Sequence, residues 1–246
     1  MLAQEDMDFG SWDEFVTHVR TLFDDADQTF RTKYWFRGQS SSERSLTPSF
    51  DRIYLPRKGV KKQTVYDELI REFIKHSEEN DLLAKLTHEA EDQYRLRSTI
   101  LAQHHGLPTR LLDWTDSPFI AAWFAFRSSS SAADRVAVWM LNREADVWDK
   151  ELGVELIDLP AKANLRMKNQ RGKFTLLRSK FNSLDEFCLD SGTQTAKGAL
   201  SKFTLPAAQR GQVLAWLALY GINASSLFPG LSGIAEAVGE QVLGKF

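Results

Sequence analysis

The eight residues from Phe119 to Phe126 constrain this chain most. Read as a helix, Phe119-Ile120-Ala121-Ala122-Trp123-Phe124-Ala125-Phe126 has no polar face. Such a helix must be covered on most sides, so it belongs at the centre of a core. Pro118 suits its first turn, where the missing N–H is no loss. A chain of 246 residues is long enough to supply that cover as one large domain or two small ones.

The flanking segments predict a mixture of helices and strands. Ser11 and Glu14 have capping-box spacing, and Trp12, Phe15, Val16, Val19, Leu22 and Phe23 follow as an apolar stripe at helical period. Lys33 to Arg37 holds three consecutive aromatics, the pattern of a strand buried on both faces. Thr64 is placed to cap a helix whose inner face is Leu69, Ile70, Phe73 and Ile74. A further helix through Leu96, Ile100 and Leu101 should end at Gly106 in a left-handed cap. Strands are expected at Arg135 to Leu141, Gly153 to Leu159, Lys173 to Leu177 and Leu200 to Leu205. Pro206 then opens a helix stopped at Gly221, and a last helix runs from about Gly233 to Leu243. Helices come early and strands late, which fits an α+β fold. The expectation is a single domain, a small mixed or antiparallel sheet packed with several helices. Residues 1–26 read as an N-terminal helical extension and residues 27–246 as the main domain.

Composition removes several function classes. Lysine and arginine total 31 against 33 aspartates and glutamates, so no whole-chain basic field draws in nucleic acid. The single Cys188 excludes an internal disulfide and reads as an inert core thiol. His104 and His105 are adjacent and rarely aim at one ion, and no second pair has ligand spacing, so no metal site is expected. His18, His76 and His88 read as surface residues. No apolar run is long enough to span a bilayer, and the acidic opening lacks a signal peptide's basic start. A cytoplasmic protein with no membrane contact is expected. Ser128 to Ala133 and Arg57 to Gln63 read as surface loops.

Three polar clusters can carry chemistry. In Trp35-Phe36-Arg37-Gly38-Gln39, an arginine leaves a buried aromatic strand beside a glycine. Its planar fork can hold a carboxylate or phosphate in two-pronged fashion, and the glycine lets backbone or ligand come close. Equally, Arg37 can pair with an internal carboxylate, with Asp113 the obvious candidate. The stretch from Gln103 through His104, His105, Thr109, Arg110, Asp113 and Trp114 to Ser117 is dense in hydrogen-bonding side chains between two helix ends. It is either an active-site loop or a structural loop that orders two helices. The third stretch, Arg166 to Phe174, carries Arg166, Lys168, Arg171 and Lys173 around Gln170 and Gly172. A phosphate-binding patch and a solvated loop both fit it.

These residues resemble the FRG domain, a family named for its Phe-Arg-Gly motif, here Phe36-Arg37-Gly38. The resemblance runs through Leu46-Thr47-Pro48-Ser49 and the long stretch from His104 to Trp114. It continues at Arg166, Gln170, Gly172 and Phe174 and reaches Leu227-Phe228-Pro229-Gly230-Leu231-Ser232-Gly233. The family often has aspartate where Gly230 and Ser232 stand. It implies a bacterial or phage-related protein, and some of it looks like ADP-ribosyltransferase architecture. In that group an arginine on the first core strand holds the phosphates of NAD, which corresponds to Arg37. The group's catalytic glutamate closes a Gln/Glu-x-Glu motif. The nearest match is Gln170-Arg171-Gly172, with glycine in the glutamate's place.

The resemblance and the clusters together imply an NAD- or nucleotide-binding effector in bacterial defence or of toxin type. Arg37 and Arg110 would hold phosphates, and Trp114 would stack. Gly38, Gln39, Arg166 and Gln170 would complete the binding set. His104 or His105 would act as general base, with Asp113 in the same catalytic set. Two other readings stand beside it. One is a non-enzymatic interaction or sensor module in phage defence, taking a protein partner. The other, nucleic-acid binding, rests only on the local cations and Phe174.

Overall fold

The computed structural model describes residues 6–24, 33–83, 89–128, 133–158, 165–190, 196 and 198–243. The strands are β1 (Met7–Asp8), β2 (Tyr34–Gln39), β3 (Leu111–Thr115), β4 (Arg135–Asn142), β5 (Val154–Ile157), β6 (Gly172–Leu177) and β7 (Leu200–Pro206). They form one mixed sheet in the order β1-β7-β4-β2-β3-β6-β5. β1 joins β7 in parallel, and the remaining pairs are antiparallel. The fold is α+β, with helices on both faces of the sheet.

Helix α1 (Trp12–Asp24) begins as its spacing predicts. The Glu14 amide donates to Ser11 Oγ, while the Glu14 carboxylate reaches one residue further back, to the Gly10 amide. Trp12, Phe15 and Val19 are fully buried in the same core as α5 (Pro118–Arg127), so the first helix is part of the main body. Ser117 caps α5 by accepting from the Ile120 amide, and Pro118 fills its first turn. Trp123 and Phe126 are buried at its centre. Each large apolar side chain buried in this way contributes about 1.5–3 kcal/mol. Helices α8 (Arg210–Leu219), α9 (Ala224–Leu227) and α10 (Leu231–Leu243) lie on the same side, and α9 begins with an Asn223–Ser226 capping box. The opposite face buries Trp35, Leu112, Trp114, Trp139 and Leu141 with Leu184 and Phe187 of α7 (Leu184–Asp190).

Several expectations change. Helix α3 (Lys62–Glu79) starts two residues before Thr64, so Thr64 is not its cap, and Lys62 and Gln63 are helical, not loop. Residues 111–115, expected within a polar loop, form strand β3. His18 is half-buried rather than fully on the surface: its ring lies against Phe9 and Phe203, at centroid distances of 5.4 and 5.2 Å. His88 and residues 129–132 of the serine-rich stretch lie outside the described residues. Gly106 has a φ of 89° after α4 (Glu91–His104), the left-handed cap its sequence predicts. Cys188 packs on the second core, and burial pushes its thiol up to about 12. Among the described residues, no helix is long and apolar enough to cross a membrane.

Candidate functional site

The site lies where two central strands part. β2 pairs with β4 at six positions, from Tyr34 to Gln39, but with β3 only at Phe36 and Thr115. Beyond that bridge a cleft of about 370 Å³ opens between α4 and α5. Arg37, Gly38 and Gln39 line it from β2, and Asp113, Trp114 and Thr115 from β3. Gln103 and His104 belong to α4, and Phe124 to α5. A second, shallower hollow adjoins it and shares Arg37, Arg52, Gln103 and Asp113.

Arg37 spans the opening. Its Nη1 donates to the Asp113 carbonyl at 2.7 Å and lies 3.7 Å from the Asp113 carboxylate. Its Nε is buried with no hydrogen-bond partner. Burial pushes this guanidinium below its ordinary pKa; Asp113 opposes that shift, and nearby Arg52 adds to it. The Asp113 carboxylate also accepts from Gln103 Nε2 at 2.8 Å, and the Gln103 carbonyl accepts from the Thr109 hydroxyl. Arg37 is thus tied to Asp113 through Nη1, while its buried Nε has no protein partner and the side chain as a whole remains partly exposed.

Gly38 serves the helix. A Cβ built there would lie 1.9 Å from the Ala121 carbonyl oxygen and 2.6 Å from the Ala125 amide nitrogen, both backbone atoms of α5. Gln39 is a strut: its Oε1 accepts from Trp139 Nε1 at 2.7 Å, and its Nε2 donates to the Ser45 carbonyl at 3.0 Å. It thereby fixes the segment that carries Arg44 and Thr47 to the cleft wall.

The predicted residues do not all meet. His104 lines the cleft, whereas His105 is exposed beyond the helix end. Trp114 turns its ring to the opposite face, where Nε1 donates to Thr175 Oγ1 at 3.0 Å inside the second core. Arg110 is only 1% exposed and lies away from the cleft. It pairs with the fully buried Asp51 carboxylate at 2.9 Å and donates to the Ser179 and Phe181 carbonyls. Lys62 closes the other side of Asp51 at 2.6 Å. Gln170 ends α6 (Leu165–Gln170) at the cleft edge, where it donates to the Leu227 carbonyl at 3.2 Å. Arg166 begins the same helix; its side chain lies outside the described residues. Arg171 pairs with Asp116 at 3.2 Å and Lys173 with Asp158, so two of the cations in that stretch are already matched.

Two cleft residues carry no local signal in the sequence. Arg44 follows β2, and Arg52 lies on α2 (Ser49–Ile53), one residue after Asp51. Among the described residues, no carboxylate pairs with either. Asp113 is the only carboxylate among the described lining residues, against three guanidinium groups. Phe124 is the partly exposed aromatic at the cleft, a role expected of Trp114, whereas Phe36 and Phe174 are buried beneath it.

Residues 32–134 match the family model of the FRG domain. The match contains Arg37, Gly38, Gln39, His104, His105, Arg110, Asp113 and Trp114, and it ends before Arg166 and Gln170. No curated protein and no solved structure matches the chain.

Proposed function

With residues 32–134 an FRG domain, we propose that the cleft around Arg37 binds a phosphate-bearing ligand, with NAD or another nucleotide as its class. The observation that carries this is the buried Arg37 Nε, which lacks a protein partner beside an opening where cations outnumber carboxylates three to one. The Arg37 side chain is 21% exposed and keeps N–H donors beyond the one that holds Asp113, and a guanidinium with spare donors can bind phosphate oxygens. The volume, about 370 Å³, falls within the usual range of small-molecule sites, and the partly exposed Phe124 offers apolar surface to a base or ribose. His104, which lines the cleft, is the candidate general base, and Asp113 belongs to the same candidate catalytic set. Such a binding site fits a bacterial defence or toxin-type effector.

Calorimetry with NAD and ADP-ribose, run beside mass spectrometry for released nicotinamide, tests this reading. Saturable binding that Arg37→Gln abolishes supports it, and absence of binding by the unaltered protein discards it. Nicotinamide release would add ADP-ribosyltransferase-like or glycohydrolase chemistry.

A second reading, a non-enzymatic sensor in phage defence, is favoured by one observation. Gly172 stands at the cleft where that transferase architecture calls for a glutamate. An Arg37→Gln protein that stays folded and keeps its biological effect supports the sensor against the nucleotide-binding reading.

A further inference from the structure

The three arginines of the cleft are not equivalent. Arg37 already faces Asp113 and is partly neutralised by it. Arg44 and Arg52 face no carboxylate among the described residues, yet both border the same opening, Arg52 also bordering the adjoining hollow. Arg52 is held in place by its neighbour in sequence. Asp51 is locked between Arg110 and Lys62, and the Phe50 amide donates to the Thr109 carbonyl at 3.0 Å. That fastening keeps α2 against β3 and presents Arg52 to the cleft. Arg44 is presented by the Gln39–Ser45 strut. Two exposed positive charges thus border one concavity beside Arg37 with no carboxylate set against them among the described residues. A ligand that carries two or more negative charges matches this arrangement.

We propose that Arg44 and Arg52 form a second anion subsite beside Arg37, so that the cleft selects two linked phosphate groups over a single one. This deepens the nucleotide reading and rests on it. The subsite predicts a diphosphate-bearing ligand in which one phosphate meets the exposed part of Arg37 and the next meets the Arg44 and Arg52 arms. Neither arm is required for folding, because both are exposed and bind no acid.

The test is calorimetry on the full chain at fixed ionic strength, with inorganic pyrophosphate and orthophosphate as probes. The ADP and AMP pair repeats the comparison. The unaltered protein should prefer pyrophosphate by about tenfold or more. Arg44→Gln and Arg52→Gln should each reduce that preference, and the double variant should bring it to within about twofold, with an unchanged melting temperature. Equal affinity of the unaltered protein for the two probes overturns the subsite, as does a full preference retained by the double variant. If Arg37-dependent binding persists with no preference, the nucleotide reading survives and the second subsite does not. If neither probe nor nucleotide binds, both fall.

Discussion

The carbonyl oxygen of Ala121 occupies the space that a side chain on Gly38 would need. A Cβ there would come within 1.9 Å of it and within 2.6 Å of the Ala125 amide nitrogen. The near-apolar helix α5 therefore rests its backbone directly on β2, beside Arg37. Neither obstructing atom can swing aside, because both belong to a helix buried in the main core. Gly38→Ala should destabilise the fold by about 1–3 kcal/mol or more, measured by urea unfolding. A variant of unchanged stability would mean that α5 is free to shift.

Arg110 and Arg37 should separate cleanly by experiment, although both are arginines near β3. Removing Arg110 leaves Asp51 buried with Lys62 alone and strips donors from two carbonyls. Arg110→Met should cost about 3–5 kcal/mol by denaturant unfolding. Arg37→Gln removes a side chain with 21% exposure whose acid partner is 64% exposed, and its melting temperature should stay close to that of the unaltered protein.

Trp114 donates into the second core and should be silent in ligand binding. Trp114→Phe removes the bond to Thr175 and should cost about 1 kcal/mol. Its affinity for ADP-ribose should remain within about twofold of the unaltered protein. A large loss of affinity at constant stability would place the indole in the site after all.

These contrasts mark what the sequence could reveal. The apolar run at Phe119 to Phe126 and the aromatic run at Tyr34 to Phe36 are local signals, and each became the element they indicate. Arg37, Gln103, His104, Asp113, Gln170 and Gly172 belong to clusters whose polarity stands out beside buried segments, and all six border the cleft. Read as a loop, the stretch offers Trp114 and Asp113 to one site. In a strand, neighbours point to opposite faces, so the Trp114 ring turns into the second core while the Asp113 carboxylate faces Arg37. Arg110 was grouped for its nearness in sequence, whereas its partner Asp51 lies 59 residues away. Arg44 and Arg52 look like ordinary surface arginines, and only the tertiary fold brings them beside Arg37.

His18 supplies a pH dependence. Burial pushes its pKa below 6.5, and its Nε2 is buried without a hydrogen-bond partner. The unfolded chain therefore takes up a proton more readily than the folded one, and stability falls as the pH drops below about 6.5. The melting temperature should decline from about pH 7.5 to about pH 5.5, and His18→Leu should flatten that decline. An identical decline in the variant would assign the effect to another group.

At the centre of the proposed function, Arg37 grips an anion in the cleft. The most direct test is nuclear magnetic resonance on protein labelled with ¹⁵N at arginine, following the Nε–H signals while ADP-ribose is added. The signal missing from the Arg37→Gln spectrum should move saturably in the unaltered protein. If that signal stays fixed while ADP-ribose is raised to saturating levels, or if only other arginines respond, Arg37 does not hold the ligand.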